Sequence, residues 1–110
     1  MVKIAFYKSF IKKTAKLKKK FSKVGEDIFL LVEEIKKNPR VGTSLGHNLF
    51  KSRVKNSNKT QGKSGGYRII TYYLTSNNEV YFIDIYDKGD KENFNKDEIQ
   101  SIMKDIKQNT

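Results

Sequence analysis

Two hydrophobic rhythms divide this sequence, and together they admit few folds. Up to Pro39 the apolar side chains recur at helical spacing. Phe10, Leu17, Phe21 and Val24 fall near one face of a segment at residues 9–21. Ile28, Leu31, Val32 and Ile35 give the i, i+3, i+4, i+7 stripe of a second segment at residues 25–37. Glu26 and Asp27 open that second helix and Lys36 and Lys37 end it, each charge matched to the helix dipole, before Asn38-Pro39 stops it. Two helices joined so closely are expected to pack as an antiparallel hairpin. Beyond Pro39 the period falls to two. Residues 49–55, 67–74 and 79–86 are rich in β-branched and aromatic side chains and are bounded by turn residues, with Ser76-Asn77-Asn78 as a hairpin turn.

The ends complete the pattern. Val2, Ile4 and Phe6 alternate with Lys3 as in a short strand at residues 2–7. Asn95-Lys96-Asp97-Glu98 has the form of a capping box, Asn95 capping and Glu98 reaching back, ahead of a helix with Ile99, Ile102, Met103 and Ile106 on one face. The order β-α-α-β-β-β-α predicts an α+β fold. It forms one domain over residues 1–110, with an antiparallel-rich sheet, helices on one face and a basic open face. No repeat or linker divides it. The connection at residues 56–66 is polar and glycine-bearing.

Charge points to the partner. The chain carries 23 Lys and Arg against 12 Asp and Glu, a net +11, and no carboxylate lies between Glu34 and Glu79. Nine cations occupy that interval: Lys36, Lys37, Arg40, Lys51, Arg53, Lys55, Lys59, Lys63 and Arg68. Such a field attracts polyanions and speeds their encounter, which favours nucleic acid over an anionic membrane surface. Lys12, Lys13, Lys16, Lys18, Lys19 and Lys20 read as the solvated side of the first helix, giving long-range attraction only. The start, residues 1–8, lacks the apolar stretch of a signal peptide, and no apolar run approaches the ~20 residues that span a bilayer. A reducing cytoplasm is the expected setting.

Several chemistries are set aside. There is no cysteine and one histidine, His47, so thiolate and histidine metal sites and a two-histidine acid–base pair cannot be built. Asp84, Asp87, Asp90 and Glu92 do not have the spacing of a calcium loop. Gly62-Lys63-Ser64 lacks the earlier glycine and following helix of a P-loop. No metal and no small-molecule cofactor is expected.

Strand parity sorts what is left. Lys51, Arg53 and Lys55 share one face of their strand while Phe50 and Val54 share the other. Burying three unpaired cations is very costly, so the basic face is the open one. Arg68 either falls with Ile70, Tyr72 and Leu74 or faces the edge near the start of its strand. Cations beside tyrosines (67, 72, 73, 81 and 86) suit phosphates and stacked bases, and RNA more than DNA.

Gly62-Lys63-Ser64-Gly65-Gly66-Tyr67-Arg68-Ile69-Ile70, then Tyr81-Phe82-Ile83-Asp84-Ile85-Tyr86-Asp87-Lys88, resembles the RelE/HigB toxin family. Asn38-Pro39-Arg40-Val41-Gly42 and Phe50-Lys51-Ser52-Arg53 fit the same pattern, and the resemblance covers nearly the whole chain. It implies a type II toxin, an endoribonuclease that enters the ribosomal A site, cuts the mRNA being read and is neutralised by a cognate antitoxin. It places Lys51 and Arg53 as a basic pair, Arg68 at the opening of the next strand and Lys88 after the last, with Lys91 in the same basic rim; Lys55 and Lys63 are expected to bind RNA with Lys88 and Lys91. Phe94 stands where some members have a tyrosine, which leaves Tyr86 as the aromatic or proton-transfer candidate. Asp87 and Asp90 make the rim less basic. Cations stabilise a phosphorane directly, and crowding by like charge favours a neutral lysine, so Lys51 is the candidate base with Arg53 and Arg68 as phosphate clamps. A ParE-like gyrase inhibitor without enzymatic activity and a plain basic RNA-binding module are the alternatives.

Overall fold

The computed structural model describes residues 1–59, 65–89 and 95–109. The chain runs β1 (Lys3–Phe6), α1 (Lys8–Lys20), α2 (Val24–Lys37), β2 (Thr43–Gly46), β3 (Leu49–Val54), β4 (Tyr67–Leu74), β5 (Glu79–Asp87) and α3 (Lys96–Gln108). The five strands form one sheet in the order β1-β5-β4-β3-β2. β1 runs parallel to β5, and every other pairing is antiparallel. The α+β class and the order of elements are as the sequence predicts, with β2 added.

The helix stripes do what their spacing requires. Val24, Ile28, Leu31 and Ile35 of α2 are buried with Phe10 and Phe21 against Phe50, Val54, Tyr67, Ile69, Tyr73, Val80, Phe82 and Ile85 of the sheet. Each such aliphatic side chain contributes on the order of 1.5–3 kcal/mol relative to exposure. The ring of Phe10 meets Phe82 edge-on at 5.4 Å and Phe21 meets Tyr67 likewise at 6.0 Å.

One expectation is corrected here. The helices do not all lie on one face. Central β4 is buried along all eight residues, so both of its sides need cover. Ile99, Ile102, Met103 and Ile106 of α3 supply the second layer, over Leu49, Ile70, Tyr72, Leu74 and Ile83. This face is therefore not an open sheet surface: toward its end beyond α3, Arg53 is exposed and Tyr86 half-buried, while Arg68 between them is buried. The Asn95 side chain accepts the Glu98 N–H at 3.1 Å, as a cap should. The Glu98 carboxylate, however, does not close the box. It turns to Lys13 Nζ, 3.6 Å away.

β2 is not announced by its residues: Thr43 to Gly46 carry no apolar alternation, and the turn that follows lacks an Asn-Gly pair. His47 and Asn48 take φ of 52° and 62° instead, both in the left-handed region that two-residue hairpin turns require. The predicted turn after β4 is present, a short 3₁₀ turn at Thr75–Asn77 closed by Asn78 at φ 50°.

The tyrosines of this core give a solution test. Burial, with the Asp27 and Asp87 carboxylates nearby, pushes the Tyr67 phenol far above its usual value of 10. Burial and the hydrogen bond to Glu79 push Tyr81 up to about 12. Since the folded pKa values are raised, the stability these phenols contribute is complete below pH ~10 and is lost as pH rises above it. A spectrophotometric titration should show these two ionising late and together with unfolding. Normal ionisation of all the tyrosines near 10 in the folded protein would refute the placement.

Candidate functional site

The nine cations of the acid-free interval separate once the fold is drawn. Lys36 pairs with Glu33 on the surface of α2 at 3.1 Å. Arg40 lies over the Tyr73 ring at 4.9 Å. Lys59 binds both oxygens of Asp87, at 3.0 and 2.9 Å, and sits over Phe21. Lys51, Arg53, Lys55 and Arg68 remain together, on one side of β3 and β4, while Lys37 is exposed on α2. Lys63 and Lys91 lie outside the described residues, as do Asp90, Glu92 and Phe94.

Strand register builds the centre of the site. Arg53 is directly opposite Arg68, and Arg68 is directly opposite Tyr86, so the three form one row across β3, β4 and β5. Directly opposed Cβ atoms stand about 4.5–5.5 Å apart. The next row is Lys51, Ile70 and Asp84. Since Ile70 packs under α3, the register also resolves where Arg68 points: with Ile70, Tyr72 and Leu74, on the α3 side. Lys55 follows β3 on the same parity and is exposed. Lys88 follows β5, also exposed, with its backbone N–H donated to the Gly66 carbonyl at 2.9 Å. These pairings bring together Lys51, Arg53, Lys55, Arg68, Tyr86 and Lys88.

The two arginines differ in depth. Arg53 is exposed, whereas Arg68 retains 6% of its surface and donates from Nη1 to the Tyr67 carbonyl at 3.2 Å. Like charges set directly opposite on a sheet are destabilising unless an anion joins them. Arg53 is thus the accessible member of the pair, and Arg68 lies beneath the surface. Tyr86 is half-buried beside them.

The acids are placed differently from the sequence reading. Asp87 does not dilute the rim. It is 2% exposed, faces the α1–α2 side and is neutralised by Lys59. Asp84 accepts from Lys13 at 2.6 Å, so Lys13 is a partner of a buried carboxylate and not a surface lysine of long-range effect. Neither ion pair is visible in the sequence, because the partners are 71 and 28 residues apart. No group of three or more metal-ligating side chains occurs among the described residues. A groove of about 520 Å³ between α3 and the β2–β3 turn, lined by Leu45, His47, Leu49, Ile99 and Met103, is separate from the arginine row.

A family model, the RelE toxin of the RelE/RelB toxin–antitoxin system, matches residues 5–109. The chain belongs to the RelE toxin family. Solved structures share the RelE fold at low identity. The isolated E. coli RelE toxin superposes with a TM-score of 0.62 at 17% identity, covering 94% of this chain and 98% of that one. RelE in the intact E. coli RelBE toxin–antitoxin complex gives 0.60 at 19% identity, over 79% of this chain and 96% of that one. A double-arginine mutant of E. coli RelE bound to an antitoxin RelB peptide gives 0.60 at 18% identity, over 93% of each chain. As a RelE family member the chain is a toxin of a toxin–antitoxin system. Among the described residues, no helix is long and apolar enough to cross a membrane.

Proposed function

We propose that this RelE-family toxin is a ribosome-dependent endoribonuclease that cuts mRNA in the A site, without metal, from the Arg53–Arg68–Tyr86 row. The observation that carries the reading is the row itself: an exposed and a buried arginine directly opposed, with a half-buried tyrosine next to them, toward the end of the sheet face beyond α3. In such a cleavage the 2′-oxygen loses its proton and attacks the adjacent phosphorus. The bond to the 5′-oxygen then breaks, and that oxygen takes up a proton. Lys51, one row inward, is the candidate base. Arg53 and Arg68 carry the charge that develops on the phosphorane oxygens, where fixed donors act most strongly. Tyr86 positions the nucleotide or donates to the leaving oxygen. Lys55 and Lys88 hold neighbouring phosphates, and Lys63 and Lys91, outside the described residues, are further RNA-binding candidates.

The partners follow from this reading. The ribosome and its mRNA are the target, in the cytoplasm. A cognate antitoxin silences the toxin by covering or neutralising the cationic row, and with a net +11 on the toxin its capture is fast and weakened by salt. An in vitro translation reaction containing one defined mRNA separates the readings. The nuclease leaves cuts at ribosome-occupied codons. A gyrase poison leaves the mRNA intact and breaks DNA, and a binding module does neither.

Metal independence is checked separately. Chelating transition metals at fixed Mg²⁺, or exchanging divalent ions that keep the ribosome whole, should leave the cleavage rate unchanged. Loss of activity on intact ribosomes, restored by one ion, would instead point to Asp84, Asp87 or Asp90 as ligands.

A further inference from the structure

Strand β5 changes sides part-way along. Val80 and Phe82 point toward α1 and α2, and Ile83 points toward α3. Strict alternation would send residues 84 and 86 after Phe82, into the helical-hairpin core. Instead Ile85 joins Phe82 in that core, and Tyr86 stands opposite Arg68. The cause is one extra residue in β5: Ile70 pairs with Asp84 while Thr71 pairs with Phe82, so Ile83 has no partner of its own on β4. A single inserted residue turns every later side chain to the other face of the sheet, which is how bulges re-aim residues near functional sites.

The bulge is held from outside the sheet. β1 accompanies β5 only as far as Phe82, and beyond that point the start of α1 takes over the edge. The Tyr7 N–H donates to the Phe82 carbonyl at 2.9 Å, and Ser9 Oγ donates to the Ile83 carbonyl at 3.3 Å. Lys13 Nζ donates to Asp84 Oδ1 at 2.6 Å, and the same oxygen accepts the Ile85 N–H at 3.0 Å. Three successive residues, Phe82, Ile83 and Asp84, are thus each gripped from α1 or its N-cap, by Tyr7, Ser9 and Lys13. Asp84 is 4% exposed, and a buried carboxylate left without its partner is strongly destabilising. Slipping the register by one would carry Asp84 away from Lys13 into the apolar cluster and take Tyr86 off the arginine face.

We infer that Lys13 and Asp84 are positioning residues for RNA cleavage: they lock the β5 bulge that presents Tyr86 beside Arg53 and Arg68. The inference rests on the cleavage reading above for its kinetic consequence, but its structural part is measurable alone. The test compares Lys13→Met, Lys13→Arg, Asp84→Asn and, as a charge-matched control, Lys36→Met, whose ion pair with Glu33 lies on the surface. Single-turnover mRNA cleavage on saturating ribosomes is measured with ribosome binding. NMR cross-peaks between the Tyr86 ring and the Arg68 side chain are recorded in parallel. Lys13→Met should cut roughly 10–100-fold more slowly, as misplaced catalytic groups do, with binding retained and the Tyr86–Arg68 cross-peaks abolished. Lys13→Arg should restore both readouts, and Lys36→Met should change neither.

Wild-type cross-peaks and a wild-type rate in Lys13→Met overturn the inference, as does equal slowing by Lys36→Met. If Lys13→Met does not fold, Asp84→Asn, which leaves no buried charge, decides: wild-type cross-peaks and a wild-type rate in it overturn the inference. Tyr86→Ala distinguishes the two levels. If it cuts normally while Lys13→Met abolishes the cross-peaks, the cleavage reading fails at Tyr86 and the bulge lock stands. If Tyr86→Ala is inactive and Lys13→Met is normal, only the lock fails.

Discussion

Arg68→Ala should slow single-turnover mRNA cleavage by roughly 10²–10³-fold, the scale of one lost oxyanion donor, while ribosome binding largely survives. Growth arrest on expression should vanish with it. The division between rate and binding follows from depth. Arg68 keeps 6% of its surface, so under the proposed function it should add little to the first capture of a polyanion, a role that falls to the exposed Arg53, Lys55 and Lys88. Its charge matters once a phosphate lies between it and Arg53, directly opposite. A thermal melt accompanies the kinetics, since Arg68 also donates to the Tyr67 carbonyl. A folded Arg68→Ala protein that cuts at the wild-type rate would remove the row from the active site.

The largest expected effect on stability is at Gly66, where β3 and β4 come together. A Cβ built there falls 2.0 Å from the Val54 carbonyl oxygen and 2.9 Å from the Asn56 nitrogen, both backbone atoms that cannot swing aside. Gly66→Ala must separate the strands just where Val54 pairs with Tyr67 and where the Lys88 N–H reaches the Gly66 carbonyl. The cost should reach or pass the top of the usual range of about 1–3 kcal/mol for overpacking. For a domain of this size that lowers the Tm by more than about 10 °C. Calorimetry or a CD melt checks it, and a shift of only a degree or two would mean the approach is looser than described. Gly25→Ala is the matched control, because nothing lies within 4 Å of the Cβ it would add.

Much of this architecture is legible in the residues. The stripe at Ile28, Leu31 and Ile35 and the alternation at Phe50 and Val54 each bury the predicted side. The cations of β3 fall on one face because a strand has a period of two, and that alone assembles Lys51, Arg53 and Lys55. What could not be read is long-range. The second layer under α3 follows from β4 being central, and a central strand looks locally like any other apolar run. The bulge is written only as a lapse in alternation at Phe82-Ile83-Asp84-Ile85. Whether such a lapse means a buried strand or an inserted residue depends on β4, which pairs with it. Lys13 and Lys59 look like any other lysine until Asp84 and Asp87 are brought to them.

If this cationic row cuts mRNA, it should do so when the ribosome presents the message. A defined mRNA is incubated with the toxin either free or on ribosomes stalled at a known codon, and the 5′ ends are mapped by primer extension. A cut within the A-site codon is expected on the stalled ribosome, with the free mRNA intact and the cut absent in Arg68→Ala. An intact mRNA on toxin-bound ribosomes, or equal cutting of the free mRNA, would contradict the proposed function.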